Sequence, residues 1–248
     1  MKHMGGKQRQ SKRLRRFLEN QHGPDCVYYE PFCGALGSAE KLVPYFKSSV
    51  LSDASQPLTN FWNAVLKGWQ IPDFVSEDEY KKYADRRHSP DASDPMTAWC
   101  GYAISFGGKW FGGYARQGKN KEEETRKSQI NQKQSALRKM NAVRPYVQEI
   151  QCMGYVEAFS YVKNNAVVYL DPPYVDRTRA HHTARGFDHP TFWKAAEDLS
   201  ARAHVYVSEF VAPESWTPVL VWGDTIVRHN SGKRDGTVES LYKYGGER

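Results

Sequence analysis

Apolar positions recur along this chain in two periods, and the way the periods alternate predicts its architecture. Over residues 7–21 a basic segment carries Leu14, Phe17 and Leu18 on one side, the spacing of an amphipathic helix, and it stops at Gly23-Pro24. Strand-like Val27, Tyr28 and Tyr29 then run into Glu30-Pro31-Phe32-Cys33-Gly34-Ala35-Leu36-Gly37-Ser38, after which residues 39–45 can start a helix. Val50 and Leu51 read as a second strand that ends at Asp53. Leu58, Phe61, Trp62, Val65 and Leu66 fall at i, i+3, i+4, i+7 and i+8, which marks a helix with one buried face and Pro57 in its first turn. Strand, helix, strand, helix in succession implies a parallel sheet.

From about residue 72 to 154 the pattern gives way to polar and charged sequence, broken by one glycine-aromatic island at residues 106–114. This stretch reads as an insertion between a first part, residues 1–71, and a second part, residues 155–248. The alternation resumes with an apolar strand at residues 166–170, a helix around 191–199 and a strand around 204–207. Short strands near 219–227 and 238–244 complete a sheet that should carry helices on both faces.

Composition narrows the class. The chain has 248 residues, 40% hydrophobic and 13% aromatic, enough for one buried core and incompatible with intrinsic disorder. Its longest apolar runs, at residues 166–170 and 219–222, are far below the ~20 residues that a membrane span needs. The basic N-terminus is followed by no apolar stretch, which argues against a secretory signal. Cys26, Cys33, Cys100 and Cys152 form no C-x-x-C pair, so neither a zinc site nor a disulfide framework is suggested, and a reducing cytoplasm is expected. His181, His182 and His189 lack the spacing of a metal site. The net charge of +7 is clustered. Residues 1–16 hold Lys2, Lys7, Arg9, Lys12, Arg13, Arg15 and Arg16 without an acid, and residues 107–145 hold ten basic side chains against Glu122, Glu123 and Glu124. Either these are solvated helical faces or, flanked as they are by aromatics and glycines, they meet a polyanion.

Chemistry concentrates at two places. Asp171-Pro172-Pro173-Tyr174 follows the apolar strand, and an Asp at the carboxyl end of a strand sits in the crevice where open α/β sheets bind ligands. The two prolines remove two N–H groups and leave carbonyls that only accept. Tyr174 adds a flat face. The group served is a planar ring bearing an NH₂, one hydrogen for the Asp171 carboxylate and one for the Pro172 carbonyl; the alternative is a plain turn that Asp171 caps. The second place is the turn from Glu30 to Ser38, where Gly34 lets a ligand approach the backbone and Asp53, closing the next strand, can take ribose hydroxyls. Gly34 and Gly37 do not make G-x-G-x-x-G, which disfavours a nicotinamide enzyme, and a P-loop is absent.

On these residues the chain resembles the DNA N6-adenine methyltransferases in which the cofactor motif precedes the catalytic motif, the group that includes the Dam enzyme. Met4-Gly5-Gly6-Lys7 resembles the family's GGK motif, Glu30-Pro31-Phe32 with Gly34 its S-adenosyl-L-methionine (AdoMet) loop, Asp53 its ribose acid and Asp171 to Tyr174 its DPPY box. Arg228 to Ser231, Gly236 and Glu239 to Tyr242 are similar to the ending of Dam-like chains. The chain departs from the family at His3, where an aromatic is common, and at Leu36, where the second loop glycine stands. At Phe159, expected beside the AdoMet adenine, the usual preceding acid is Ala158, with Glu157 one step back.

The resemblance implies a class I methyltransferase fold, Rossmann-like, with a mostly parallel seven-stranded sheet and a small inserted target-recognition region at residues 72–154. It implies AdoMet contacts from His3, Lys7, Glu30, Pro31, Phe32, Cys33, Gly34, Ala35, Asp53, Phe159 and Asp171. Asp171, Pro172, Pro173 and Tyr174 would transfer the methyl group to N6 of a flipped adenine, leaving S-adenosyl-L-homocysteine, with no metal. Double-stranded DNA would be met by Lys2, Lys109, Phe111, Tyr114 and Arg116, with Phe111 wedged into the base stack and Arg116 reading guanine, in a GATC-like site. The glycines of the island allow a tight hairpin, and an apolar hairpin packed on the domain is the alternative to a base-stack wedge. The implied setting is a bacterial or bacteriophage-encoded enzyme acting in the cytoplasm as a monomer that could pair on DNA. Methylation of cytosine N4 or of RNA adenine, or AdoMet and DNA binding without turnover, are the alternatives.

Overall fold

The computed structural model describes residues 10–88, 94–118, 121–174, 186–228 and 234–245, with backbone alone for 223–228 and 234–237. Strands β1 (Val27–Glu30), β2 (Ser48–Asp53), β3 (Ile150–Cys152), β4 (Val167–Leu170), β5 (His204–Glu209), β6 (Trp216–Arg228) and β7 (Arg234–Tyr244) form one sheet in the order β3-β2-β1-β4-β5-β7-β6. The first five run parallel, with Val27 opposite Ser48, Tyr28 opposite Val167 and Val167 opposite His204. β7 is antiparallel to both β5 and β6. This order, with one reversed strand slotted beside β5, is the class I methyltransferase arrangement of the Rossmann-like α/β sheet. Strand order reverses between β1 and β4, so the carboxyl ends of those two strands flank the switch-point crevice.

Strict alternation in the strands sorts side chains onto two apolar layers. Tyr28, Val167, Tyr169 and Tyr206 face one core, while Tyr29, Val168, Leu170, Val205 and Val207 face the other. Over the first lie α1 (Ser11–Gln21), α2 (Ala39–Leu42) and α3 (Gln56–Leu66), whose buried Leu14, Leu18, Leu42, Phe61, Trp62 and Val65 keep the expected helical spacing. The second core is covered by Phe192, Trp193, Ala196 and Leu199 of a helix at His189–Ser200, whose N-terminus is capped by Asp188 accepting from the Thr191 N–H at 3.1 Å.

The stretch between β2 and β4 departs most from expectation. It holds α4 (Glu77–Asp85), α5 (Pro95–Ala98) running into a π-turn at Trp99–Ala103, α6 (Lys121–Val143) and α7 (Tyr155–Ser160); the His189–Ser200 helix is therefore α8. β3 also comes from it: Ile150 to Cys152 pair with Leu51 to Asp53, so the main sheet resumes before residue 154, inside the expected insertion. Nor does this region form a lobe of its own. Trp99, Cys100, Tyr102, Ile104, Ala136, Met140 and Val143 belong to the same core as β1 and α3. No helix among the described residues is long and apolar enough to cross a membrane.

Candidate active site

The turn after β1 is tied down at almost every residue. Glu30, fully buried at the end of β1, accepts from the Tyr28 hydroxyl at 2.7 Å and from the Ser38 hydroxyl. The Cys33 N–H donates to the Ser52 carbonyl, the Trp62 indole to the Gly34 carbonyl at 2.9 Å, and the Lys139 ammonium to the Ala35 carbonyl at 2.7 Å. Gly34 adopts φ +47° and Leu36 φ +55°, so the position where Dam-like chains carry their second glycine does demand left-handed backbone; this chain meets the demand with a fully buried leucine. Pro31 and Ala35 are buried, and Phe32, half-buried, packs beside Tyr155 at 5.9 Å and edge-on to Phe192.

At the end of β2, Asp53 accepts from the Gly34 N–H at 2.9 Å and from the Ser55 N–H at 2.8 Å, one bond per oxygen. Each carboxylate oxygen carries two lone pairs, so the group retains capacity for further donors such as a vicinal diol. Phe159 is buried on α7 and touches Tyr155 at 5.5 Å; Phe32, Tyr155 and Phe159 thus make an aromatic wall beside the loop. Tyr155 is a wall residue that pattern reading missed.

Asp171, half-buried, follows β4, and Pro172 is buried behind it while Pro173 is half-buried. Tyr174 is buried, its ring edge-on to Phe210 at 5.1 Å, and its hydroxyl lies 2.8 Å from Asp171 Oδ1 and 2.9 Å from Glu239 Oε1. Glu239, buried on β7, also accepts from Gln10 Nε2 at 2.9 Å. The carboxyl edge of the sheet therefore gathers Glu30, Asp53, Asp171 and Glu239. Burial raises the Glu30 carboxyl to about 8 despite the two hydroxyl donors, and the charges of Asp171 and Asp53 push the same way. Burial likewise raises Asp53, against two backbone N–H bonds that lower it, and holds the Cys33 thiol well above its usual range. Cys33 is buried, 3% exposed, in the core beneath the loop.

Lys139 was legible in sequence only as one charge of a basic run. It lies buried on α6, where desolvation lowers its ammonium to about 8. The same run is largely spoken for within the chain. Arg138 pairs with Glu40 at 2.9 Å, Lys133 with Asp73 at 2.7 Å, Lys127 with Glu123 at 2.6 Å, Arg144 donates to the Val65 carbonyl, and Arg126 sits over the Phe74 ring.

The glycine-aromatic island forms the expected hairpin, with Ser105 bridged to Tyr114 and the Phe106 N–H donating to the Gly113 carbonyl at 2.8 Å. Its side chains point otherwise than a base-stack wedge at Phe111 requires. Phe111 is half-buried against Trp110 at 4.8 Å and Tyr80 at 5.6 Å, and Tyr114 donates to the Val75 carbonyl while accepting from Gln129. Both rings pack inward because their apolar faces complete the core over α4. Arg116 makes a two-pronged ion pair with Glu77, at 2.9 and 2.5 Å, and Lys109 is exposed at the turn. The aromatic that does stand in solvent is Phe106, 67% exposed beside Gly107 and Gly108, both at positive φ. Lys2, His3 and Lys7, with the rest of the GGK segment, and His181 and His182 lie outside the described residues.

No family model matches the chain, and no curated protein sequence does. Among solved structures it is similar to the rRNA methyltransferase aviRa from Streptomyces viridochromogenes, at 14% identity and a TM-score of 0.42 over 96% of this chain and 84% of that one. It is also similar to a conserved hypothetical protein from Streptococcus pyogenes, at 13% identity and a TM-score of 0.37 over 93% and 94%. The fold assignment rests on the strand order itself.

Proposed function

We propose that this protein is an AdoMet-dependent methyltransferase acting on the N6 amine of adenine in DNA. The observation that carries the reading is the joining of Asp171-Pro172-Pro173-Tyr174 at the end of β4 to the Glu30–Ser38 turn and Asp53 at the ends of β1 and β2, around one switch-point crevice. The donor set fits AdoMet: Asp53 keeps acceptor capacity for ribose hydroxyls, and Phe32, Tyr155 and Phe159 offer apolar faces for an adenine. When bound, AdoMet supplies a methyl group on a sulfonium centre.

The chain's own residues supply position and charge. The Asp171 carboxylate and the Pro172 carbonyl each accept one hydrogen of the target amine, which draws nitrogen electron density out of the ring. Tyr174 offers its face to the base, which must leave a duplex at a cost of a few kcal/mol. A carboxylate is too weak a base to deprotonate an aromatic amine beforehand. Asp171 instead stabilises the positive charge that grows on N6 and takes its proton late, while holding both reactants in line provides much of the remaining acceleration.

A second reading, adenine in RNA or in single strands, is favoured by the inward packing of Phe111 and Tyr114 and the pairing of Arg116 with Glu77, which leave the hairpin less equipped to open a duplex. Incubation with methyl-labelled AdoMet and duplex DNA, single-stranded DNA or RNA, followed by nucleoside analysis, separates the two. Label in N6-methyladenine from duplex DNA is expected. Label confined to RNA would favour the second reading, and label in N4-methylcytosine would overturn the amine assignment.

A further inference from the structure

One phenolic proton serves two carboxylates in this site. Tyr174 lies 2.8 Å from Asp171 Oδ1 and 2.9 Å from Glu239 Oε1, all three in a buried or half-buried setting, yet a tyrosine hydroxyl has a single hydrogen to give. While it donates to Asp171, it occupies one of the two carboxylate oxygens open to an incoming amine. Moving that proton across to Glu239 needs only a rotation of the O–H about its bond to the ring, since the second acceptor already sits at hydrogen-bond distance. Glu239 is itself held in place, for β7 sets it beside β5, and Gln10, just ahead of α1, donates to its other oxygen at 2.9 Å.

We propose that Glu239 is a positioning residue whose role is to receive the Tyr174 hydroxyl when the substrate amine engages Asp171. The inference rests on the reading of Asp171 as the amine's acceptor. On exchange, the amine N–H replaces the phenol on Asp171 and the phenol turns to Glu239, while the Tyr174 ring keeps its place. Without Glu239 the phenol would be drawn onto Asp171 and would compete with substrate for it. A site built around a hydrogen bond to an amine discriminates strongly against the analogue lacking it, so the competition is measurable in binding as well as in turnover.

The experiment compares binding of two single-stranded oligonucleotides that differ only in adenine against purine, which lacks the 6-amino group, in the wild type, Glu239→Gln, Glu239→Leu and Glu239→Leu/Tyr174→Phe, with kcat measured alongside. Glu239→Leu should lose most of the preference for adenine and roughly tenfold or more in kcat, while the KM for AdoMet stays within about twofold. Glu239→Gln keeps an acceptor oxygen and should stay close to the wild type in both. Adding Tyr174→Phe removes the competing hydroxyl, so the double variant should regain adenine preference relative to Glu239→Leu alone. A wild-type preference that survives Glu239→Leu, or a double variant no better than the single one, would overturn the proposal even if methyl transfer is confirmed. Preference that depends on Glu239 in a protein that transfers no methyl group would uphold it and sink the enzymatic reading instead.

Discussion

Leu36 shows how one backbone angle sets the meaning of a substitution. At φ +55° a side chain costs roughly 1–2 kcal/mol relative to glycine, but burying the leucine completely returns about 1.5–3 kcal/mol. Leu36→Ala keeps the strain and discards the burial, whereas Leu36→Gly discards both. Thermal or chemical denaturation should therefore rank Leu36→Gly as more stable than Leu36→Ala, the reverse of the order at an ordinary buried leucine such as Leu42 in α2. At Asp53 the carboxylate braces Gly34 and Ser55, one bond per oxygen, and keeps lone pairs over for a further donor. Asp53→Ala should weaken AdoMet binding by about 1.5–3 kcal/mol, as for a hydrogen bond to a charged group, and calorimetry showing unaltered affinity would move the cofactor elsewhere. Asp171→Ala should abolish methylation while AdoMet still binds within about tenfold, because the charge it stabilises exists mainly in the transition state. Near-normal turnover in that variant would end the mechanism proposed for it.

At the scale of elements, the hairpin at residues 105–114 is where the inserted region can be tested. If it enters a base stack, the exposed Phe106 is the side chain available, and Phe111 is engaged with Trp110 and Tyr80. Phe106→Ala should leave stability within about 0.5 kcal/mol, as for an ordinary surface change, and slow methylation of duplex more than of single strands. Phe111→Ala should destabilise by about 1–3 kcal/mol, less than the 3–5 typical of a wholly buried phenylalanine. Equal activity losses with no stability difference would contradict this division. The same region marks where pattern reading succeeds and fails. Residues 166–170 were legible as a short, continuous apolar run buried on both faces, and the Leu58 to Leu66 stripe because its apolar positions keep a period of 3.6. The stripe of α6 has the helical period too, yet Thr125, Gln129 and Lys139 occupy it alongside Ala136, Met140 and Val143, so polar chemistry hid a buried face. β3 has three residues with only Ile150 buried, too short for any alternation to show. The placement of Asp171 to Tyr174 and of the Glu30–Ser38 turn at strand ends was legible because proline, glycine and acid are typical of such positions; the contacts of Glu239 and Lys139 were not, because their partners lie 65 and 104 positions away.

For the whole molecule, convergence of acids on the sheet edge and burial of a lysine beneath the loop make stability depend on pH in two opposing ways. Glu30 titrates at about 8 in the folded chain against 4.5 as a free carboxyl, so between those values the folded state holds a proton that the unfolded state has lost. Its contribution to stability is present below about pH 4.5 and is lost as pH rises through 8, with a slope of up to about 1.4 kcal/mol per pH unit. Lys139 titrates at about 8 against 10.5, and between those values it is the unfolded state that holds the extra proton, so stability from this group rises with pH and is lost as pH falls back through 8. The two contributions meet in a trough near pH 8. Glu30→Gln keeps groups that can bond Tyr28 and Ser38 but cannot ionise, and it should gain on the wild type as pH rises from 5 to 8. Lys139→Met should gain on the wild type most at pH 8 and below, and progressively less towards pH 10.5, although it loses the bond to the Ala35 carbonyl at every pH. Urea denaturation of the three proteins at pH 5, 8 and 10 checks both limbs. A wild-type minus Glu30→Gln difference that stayed flat from pH 5 to 8 would mean that Glu30 is ionised throughout, and its charge would then stand beside those of Asp53 and Asp171 at the crevice, leaving Asp171 far less able to welcome a further electron-rich base.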